Sequence, residues 1–71
     1  MKSLTIKLTS REIEILNLLA SGLSNREIAS RMFLSVHTVK AHLECIYRKL
    51  NVNNRILACI KALQLGLITI P

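Results

Sequence analysis

The sequence predicts an all-α domain of four short helices, and three observations predict it. Apolar residues recur at helical spacing along four segments. Each segment opens on a Thr, Ser or Asn suited to capping a helix start. Gly22, the Phe33–Leu34 pair, the Asn51–Asn54 cluster and Gly66 interrupt the pattern where helices would end. At 71 residues, the whole of 1–71 is expected to form one domain with a modest core.

Residues 1–8 form a short lead. Leu4, Ile6 and Leu8 alternate with polar residues there, the pattern of an extended arm packing on the body. Thr9 opens helix one, and Thr9 with Glu12 forms a capping box, T-S-R-E. Ile13, Leu16, Leu19, Ala20 and Leu23 lie on one face, with Ile15 at its margin and Leu18 off it. Gly22 is the expected C-cap.

Helix two covers 25–32, with Ser24 as its N-cap and Glu27 completing a second capping box. Ile28 and Ala29 point inward, and small Ala29 allows the next helix close. Phe33 and Leu34 make the turn. Ser35 then caps helix three, 36–50, so that unpaired N–H groups of its first turn suit a phosphate. Asn53 or Asn54 caps helix four, which spans about 55–65 and ends at Gly66.

Helix three divides cleanly. With Val39 at zero, Leu43, Ile46 and Leu50 all fall within roughly 40° of it at 100° per residue. His37, Ala41, Glu44 and Arg48 fall opposite, with Lys40 and Cys45 at the edges, and Thr38, His42 and Lys49 along one flank. A short capped helix, a tight turn and a longer capped helix with a polar, partly basic outer face make a helix-turn-helix.

Helix four is apolar on two sides. Ala58, Ala62 and Leu65 make one stripe, and Ile56, Cys59, Ile60 and Leu63 make another. One core covers only one of them, so the second stripe is expected to meet another copy of the chain.

The net charge of +6 and a pI near 10.0 fit a polyanionic partner. The excess lies with helix three and beyond: residues 1–35 carry five basic and three acidic side chains, residues 36–71 five and one. Phe33 and Tyr47 are the only aromatics, too few for a base-stacking platform. Cys45 and Cys59 show no metal-ligand spacing and read as reduced thiols. No Asp occurs, and there is no glycine-rich phosphate loop, so an enzyme, a metal site or a cofactor is not expected. No apolar run is long enough for a membrane span and no signal-peptide core follows Met1–Lys2, which gives a cytoplasmic expectation. A helix-turn-helix that binds protein instead of DNA is the competing class, favoured slightly by the apolar surplus and by Glu44.

The chain resembles the LuxR-type (GerE-like) helix-turn-helix domain, the C-terminal output module of many bacterial transcription regulators. The resemblance rests on LTSREIEIL, LASGLSNREIASRM, LSVHTVKAHLECIYRKLNV, the NR pair followed by Ala58, and GLI, in that order from Leu8 to Ile68. It implies sequence-specific binding of double-stranded DNA, with helix three in the major groove and a homodimer through helix four on two half-sites. RNA polymerase is a further partner that such a regulator implies. Family positions matching Lys40, Ala41 and Glu44 face the bases. Those matching Thr38 and Lys49, with the start of helix two, lie near phosphates.

Together with the face derived above, the expected backbone contacts are Ser24, Asn25, Arg26, Ser35, Thr38, Arg48 and Lys49. The expected dimer residues are Ile56, Cys59, Ile60 and Leu63. Glu44 stands where the family more often has a basic or neutral residue; a carboxylate there can accept from a cytosine amino group. Cys45 stands where Asn is frequent, and Ile13 and Leu57 are apolar at places often polar. Family members are commonly preceded by a receiver or ligand-binding domain; the chain reads equally as an excised output domain or as a small stand-alone regulator.

Overall fold

Four α-helices follow one another in the computed structural model, which describes residues 7–69: α1 (Ser10–Ala20), α2 (Asn25–Met32), α3 (Val36–Leu50) and α4 (Arg55–Gln64). No strand occurs among the described residues. Leu4 and Ile6 of the expected arm lie outside them, while Leu8 is half-buried against the core.

The helix starts follow the capping residues. The Thr9 hydroxyl accepts from the Glu12 N–H at 3.1 Å, and the Glu12 carboxylate accepts from the Thr9 N–H at 2.9 Å. Ser24 and Glu27 repeat the reciprocal pair at 3.2 and 2.8 Å. Ser35 caps α3 through the Thr38 N–H at 3.0 Å, and Asn54 caps α4 through the Leu57 N–H at 2.9 Å. Each pair satisfies N–H groups that a helix start otherwise leaves open.

The four ends close in one common way. A residue in the left-handed region follows each helix, and the next N–H reaches back to a carbonyl five residues earlier: Leu23 to Leu18, Leu34 to Ala29, Val52 to Tyr47, Leu67 to Ala62. The left-handed residues are Gly22, Phe33, Asn51 and Gly66. Three are the Gly or Asn that this geometry favours; Phe33 is not. The apolar residue after each, Leu23, Leu34, Val52 or Leu67, then packs on the core.

Ile15, Leu16 and Leu19 of α1, Ile28, Ala29 and Met32 of α2, Val39, Leu43, Ile46 and Leu50 of α3, Ala58 and Ala62 of α4, and Ile68 are buried together. Helix α1 touches the other three, α3 likewise, and α2 and α4 do not pack on each other. Ala29, Ala58 and Ala62 sit at contacts where a larger side chain would hold the helices apart.

Four apolar assignments change. Ile15 is at the centre of the buried face of α1, Leu18 rests on the core, and Ile13 is only half-buried and outside it. The cause is Glu12, a charged residue that is 5% exposed and sits in the middle of that face. Counting it as polar turns the apparent apolar arc toward Ile13. Leu65 is also misplaced: α4 ends at Gln64, so Leu65 leaves the Ala58–Ala62 stripe and is exposed.

Candidate nucleic-acid interface

Burial of Val39, Leu43, Ile46 and Leu50 orients α3, and its other side is therefore fixed outward. His37, Lys40, Ala41, Glu44 and Arg48 are exposed there, and Thr38, His42 and Cys45 are half-exposed along its edge. The three expected base-reading residues thus share one open face. Helix α2 lies across α3, and its start carries exposed Ser24 and Arg26 and half-buried Asn25.

Hydrogen-bond donors are arranged at both helix starts. The Ser35 hydroxyl donates to Thr38 Oγ1 at 2.9 Å while accepting from the Thr38 N–H. The Thr38 hydroxyl proton is then left free to donate elsewhere. Ser24 Oγ accepts only, so its own proton is free to donate. At Glu27 the Ser24 N–H holds the exposed carboxyl below its usual range, which keeps a negative charge on the first turn of α2.

Lys49 is placed differently from the other cations. Its ammonium meets the Glu12 carboxylate at 2.8 Å, on the flank of α3 that faces α1. Burial pushes the Glu12 carboxyl up, but the bond from Lys49, the Thr9 N–H and the charge of Lys49 outweigh it and leave the carboxyl below its usual range. Lys49 is the partner of a buried carboxylate, whereas Lys40, Arg26 and Arg48 make no ion pair among the described residues.

A groove of about 340 Å³ runs between the start of α2, the edge of α3 and the start of α4, lined by Asn25, Lys40, Leu43, Glu44, Tyr47 and Arg55. Arg55 spans it, donating to Asn25 Oδ1 at 2.6 Å and more loosely to the Leu23 carbonyl at 3.5 Å. Burial pushes the Tyr47 hydroxyl above its ordinary range, with the Arg55 charge partly offsetting this. Sequence reasoning gave neither Arg55 nor Tyr47 a role at the site. One signal was available: Arg55 is a cation in the first turn of a helix, where the macrodipole disfavours it, so a tertiary partner was to be sought.

The second stripe of α4 gathers at a separate hollow of about 300 Å³ against α1, lined by Leu19, Ala20, Arg55, Ile56, Cys59, Ile60 and Leu63. Ile56 is 68% exposed and Ile60 45%. Cys59 and Leu63 are half-buried and lean on the core, so these two serve both sides. Burial raises the Cys59 thiol above its usual range, and both cysteines are unpaired. Among the described residues no three metal-ligating side chains come together, and no helix is long and apolar enough to cross a membrane.

This architecture and sequence have known counterparts. Residues 6–62 match the family described as "Bacterial regulatory proteins, luxR family". The nitrate/nitrite response regulator protein NarP of Escherichia coli (strain K12) is 51% identical over 57 residues, covering 80% of this chain and 26% of NarP. The chain thus spans about a quarter of the length of that relative. Among solved structures, the transcription factor GerE superposes with a TM-score of 0.83 at 35% identity, covering 87% of this chain and 92% of GerE. The Vibrio cholera VqmA–ligand–DNA complex gives 0.82 at 31% identity, covering 94% of this chain and 29% of that one. A four-helix fold, an outward α3 face and matches of this extent lead to one assignment: the chain belongs to the luxR family of bacterial regulatory proteins, whose helix-turn-helix domain is a DNA-binding module of transcription regulators.

Proposed function

We propose that the chain, as one domain, reads a specific duplex sequence with α3 in the major groove and does so as a homodimer through α4. The observation that carries this is the single open face of α3. Lys40, Ala41 and Glu44 stand exposed together on it, while the same helix is anchored by four buried residues on its other side. Lys40 donates to the O6 and N7 of a guanine, Ala41 meets a thymine methyl, and Glu44 accepts from a cytosine amino group. Arg26, Arg48, Asn25, Thr38 and the hydroxyl of Ser24 contact backbone phosphates, and Ser35 supports Thr38. Of the expected backbone contacts, Lys49 contributes least, because its ammonium already serves Glu12.

Exposure of Ile56 and Ile60 beside Cys59 and Leu63 supports a two-fold α4 contact. Such a contact sets two α3 helices on two half-sites. The test is a selection from random duplex DNA, then anisotropy against salt for wild type and Lys40→Ala. The expected result is an enriched two-fold symmetric site, weakened by about 1–3 kcal/mol and relaxed at one base position in the variant. Weak, salt-sensitive binding with no enriched site, unchanged by Lys40→Ala, refutes the reading.

A further inference from the structure

Arg55 joins two elements that otherwise do not touch. Helices α2 and α4 make no packing contact, yet the guanidinium at the first position of α4 reaches the first position of α2. Chemistry fixes how Asn25 must be turned to receive it. A guanidinium has five donors and no acceptor, so it faces the carboxamide oxygen and never the nitrogen. The contact at 2.6 Å is short, as a charge-assisted bond is. With the oxygen held, the two N–H bonds of Asn25 Nδ2 turn away from Arg55, and no acceptor meets them among the described residues. Asn25 lines the groove whose other wall carries Lys40 and Glu44 of the reading face. When a recognition helix lies in the major groove, the start of the preceding helix faces the flanking sugar–phosphate strand.

We propose that Arg55 is a positioning residue for DNA binding: it holds the Asn25 carboxamide by its oxygen and so presents the amide nitrogen to one backbone phosphate of the duplex. Arg55 does this without touching the DNA itself. A freely rotating Asn25 would present its oxygen to the phosphate in part of its conformations and be repelled. Because α4 also carries the apolar stripe, the strap sets the α2 contact from the element that carries the dimer face. The inference rests on the DNA reading proposed above.

The test uses the selected duplex, with a neutral methylphosphonate placed at each phosphate in turn. In wild type, one such replacement beside the α2 contact is expected to weaken binding by about tenfold, the size of one charge-assisted hydrogen bond. Asn25→Asp keeps an acceptor for Arg55 and so keeps the strap, but it has no donor. It is expected to fold as stably as wild type, to bind at least about tenfold more weakly, and to bind the duplex carrying that one methylphosphonate no worse than the natural duplex, because the neutral group removes the repulsion between carboxylate and phosphate. Arg55→Met is expected to show the same loss at the same phosphate. Asn25→Ala with Arg55→Met is expected to fall within about twofold of Asn25→Ala alone, since the two act as one unit. Arg55→Lys keeps the charge without the planar fork and is expected to behave like Arg55→Met.

A role confined to stability would lower the melting temperature of the Arg55 variants and leave the phosphate pattern unchanged, which overturns the proposal. So does wild-type binding by Arg55→Lys, which would reduce Arg55 to a diffuse charge, or wild-type sensitivity to that methylphosphonate in Asn25→Asp. Lys40→Ala on the same duplex keeps the two readings apart. If it relaxes the site while the Asn25 and Arg55 variants do not change the phosphate pattern, the positioning role alone falls. If no duplex is selected, the DNA reading falls and this one with it.

Discussion

Replacing Lys49 by Ala separates a structural from a DNA-binding role for the most ambiguous cation on α3. The Glu12 carboxylate is almost fully buried, and Lys49 meets it at 2.8 Å. Removing one partner of a buried pair costs about 3–5 kcal/mol when the remaining charge is isolated. Glu12 is not isolated: it keeps the Thr9 N–H at 2.9 Å, and the Lys49 end is 37% exposed. The expected loss is therefore smaller, about 2 kcal/mol. At about 4–8 °C per kcal/mol for a domain of this size, the melting temperature should fall by about 8–16 °C.

The pH dependence gives a second reading. The folded-state pKa of Glu12 is below its ordinary value, so its contribution is fully present above the unfolded pKa and is lost as pH falls through the folded one. The gap between wild type and Lys49→Ala should therefore be constant near neutrality. It should shrink once the pH drops below the ordinary carboxylate range. The assay is thermal unfolding by circular dichroism from pH 7 to pH 3, with the slope of log Kd against log salt measured alongside. A variant as stable as wild type, with a salt slope reduced by about one, would refute the structural account and return Lys49 to the phosphates. A stability gap that does not narrow in acid would show that Glu12 is not its cause.

Phe33→Gly should raise stability by about 1 kcal/mol, read in the same melts, because Phe33 holds a left-handed φ of 56° and, being 94% exposed, gives up little packing. Ile60→Glu should leave the fold intact and abolish the dimer in sedimentation; binding to a two-half-site duplex should then weaken more than tenfold, while binding to one half-site does not change. Arg26→Ala should lower the salt slope by about one without altering which sequence is selected, since Arg26 stands exposed at the start of α2 away from the α3 face.

What the sequence made legible was local. Helix limits followed because each start is governed by an N-cap and a residue three positions on, Thr9 with Glu12 or Ser24 with Glu27, and both members are visible in the same few letters. The outward face of α3 followed because four apolar residues at helical spacing leave one possible outside. Contacts between distant residues were not legible. Glu12 and Lys49 are 37 residues apart, and Arg55 and Asn25 are 30 apart. No periodicity links such pairs, and each member alone looks like a surface charge or amide. The face of α1 shows the consequence: with Glu12 read only as a capping residue, the apolar residues centre toward Ile13, whereas its side chain is buried within the face.

The two long-range pairs also divide the work of the domain. Glu12–Lys49 ties α1 to α3, and with Ile15, Leu16 and Leu19 it fixes the inner side of α3. Arg55–Asn25 ties α4 to the start of α2, on the outer side where DNA would lie. Both bonds are part-buried, but the first satisfies a buried carboxylate, whereas the second lines a groove beside the outward face of α3. A change at the first should therefore move melting temperature more than affinity, and a change at the second should move affinity at one phosphate more than melting temperature. If both pairs shifted the two quantities in the same proportion, this division would be wrong, and α2, α3 and α4 would have to be treated as one cooperative reading surface.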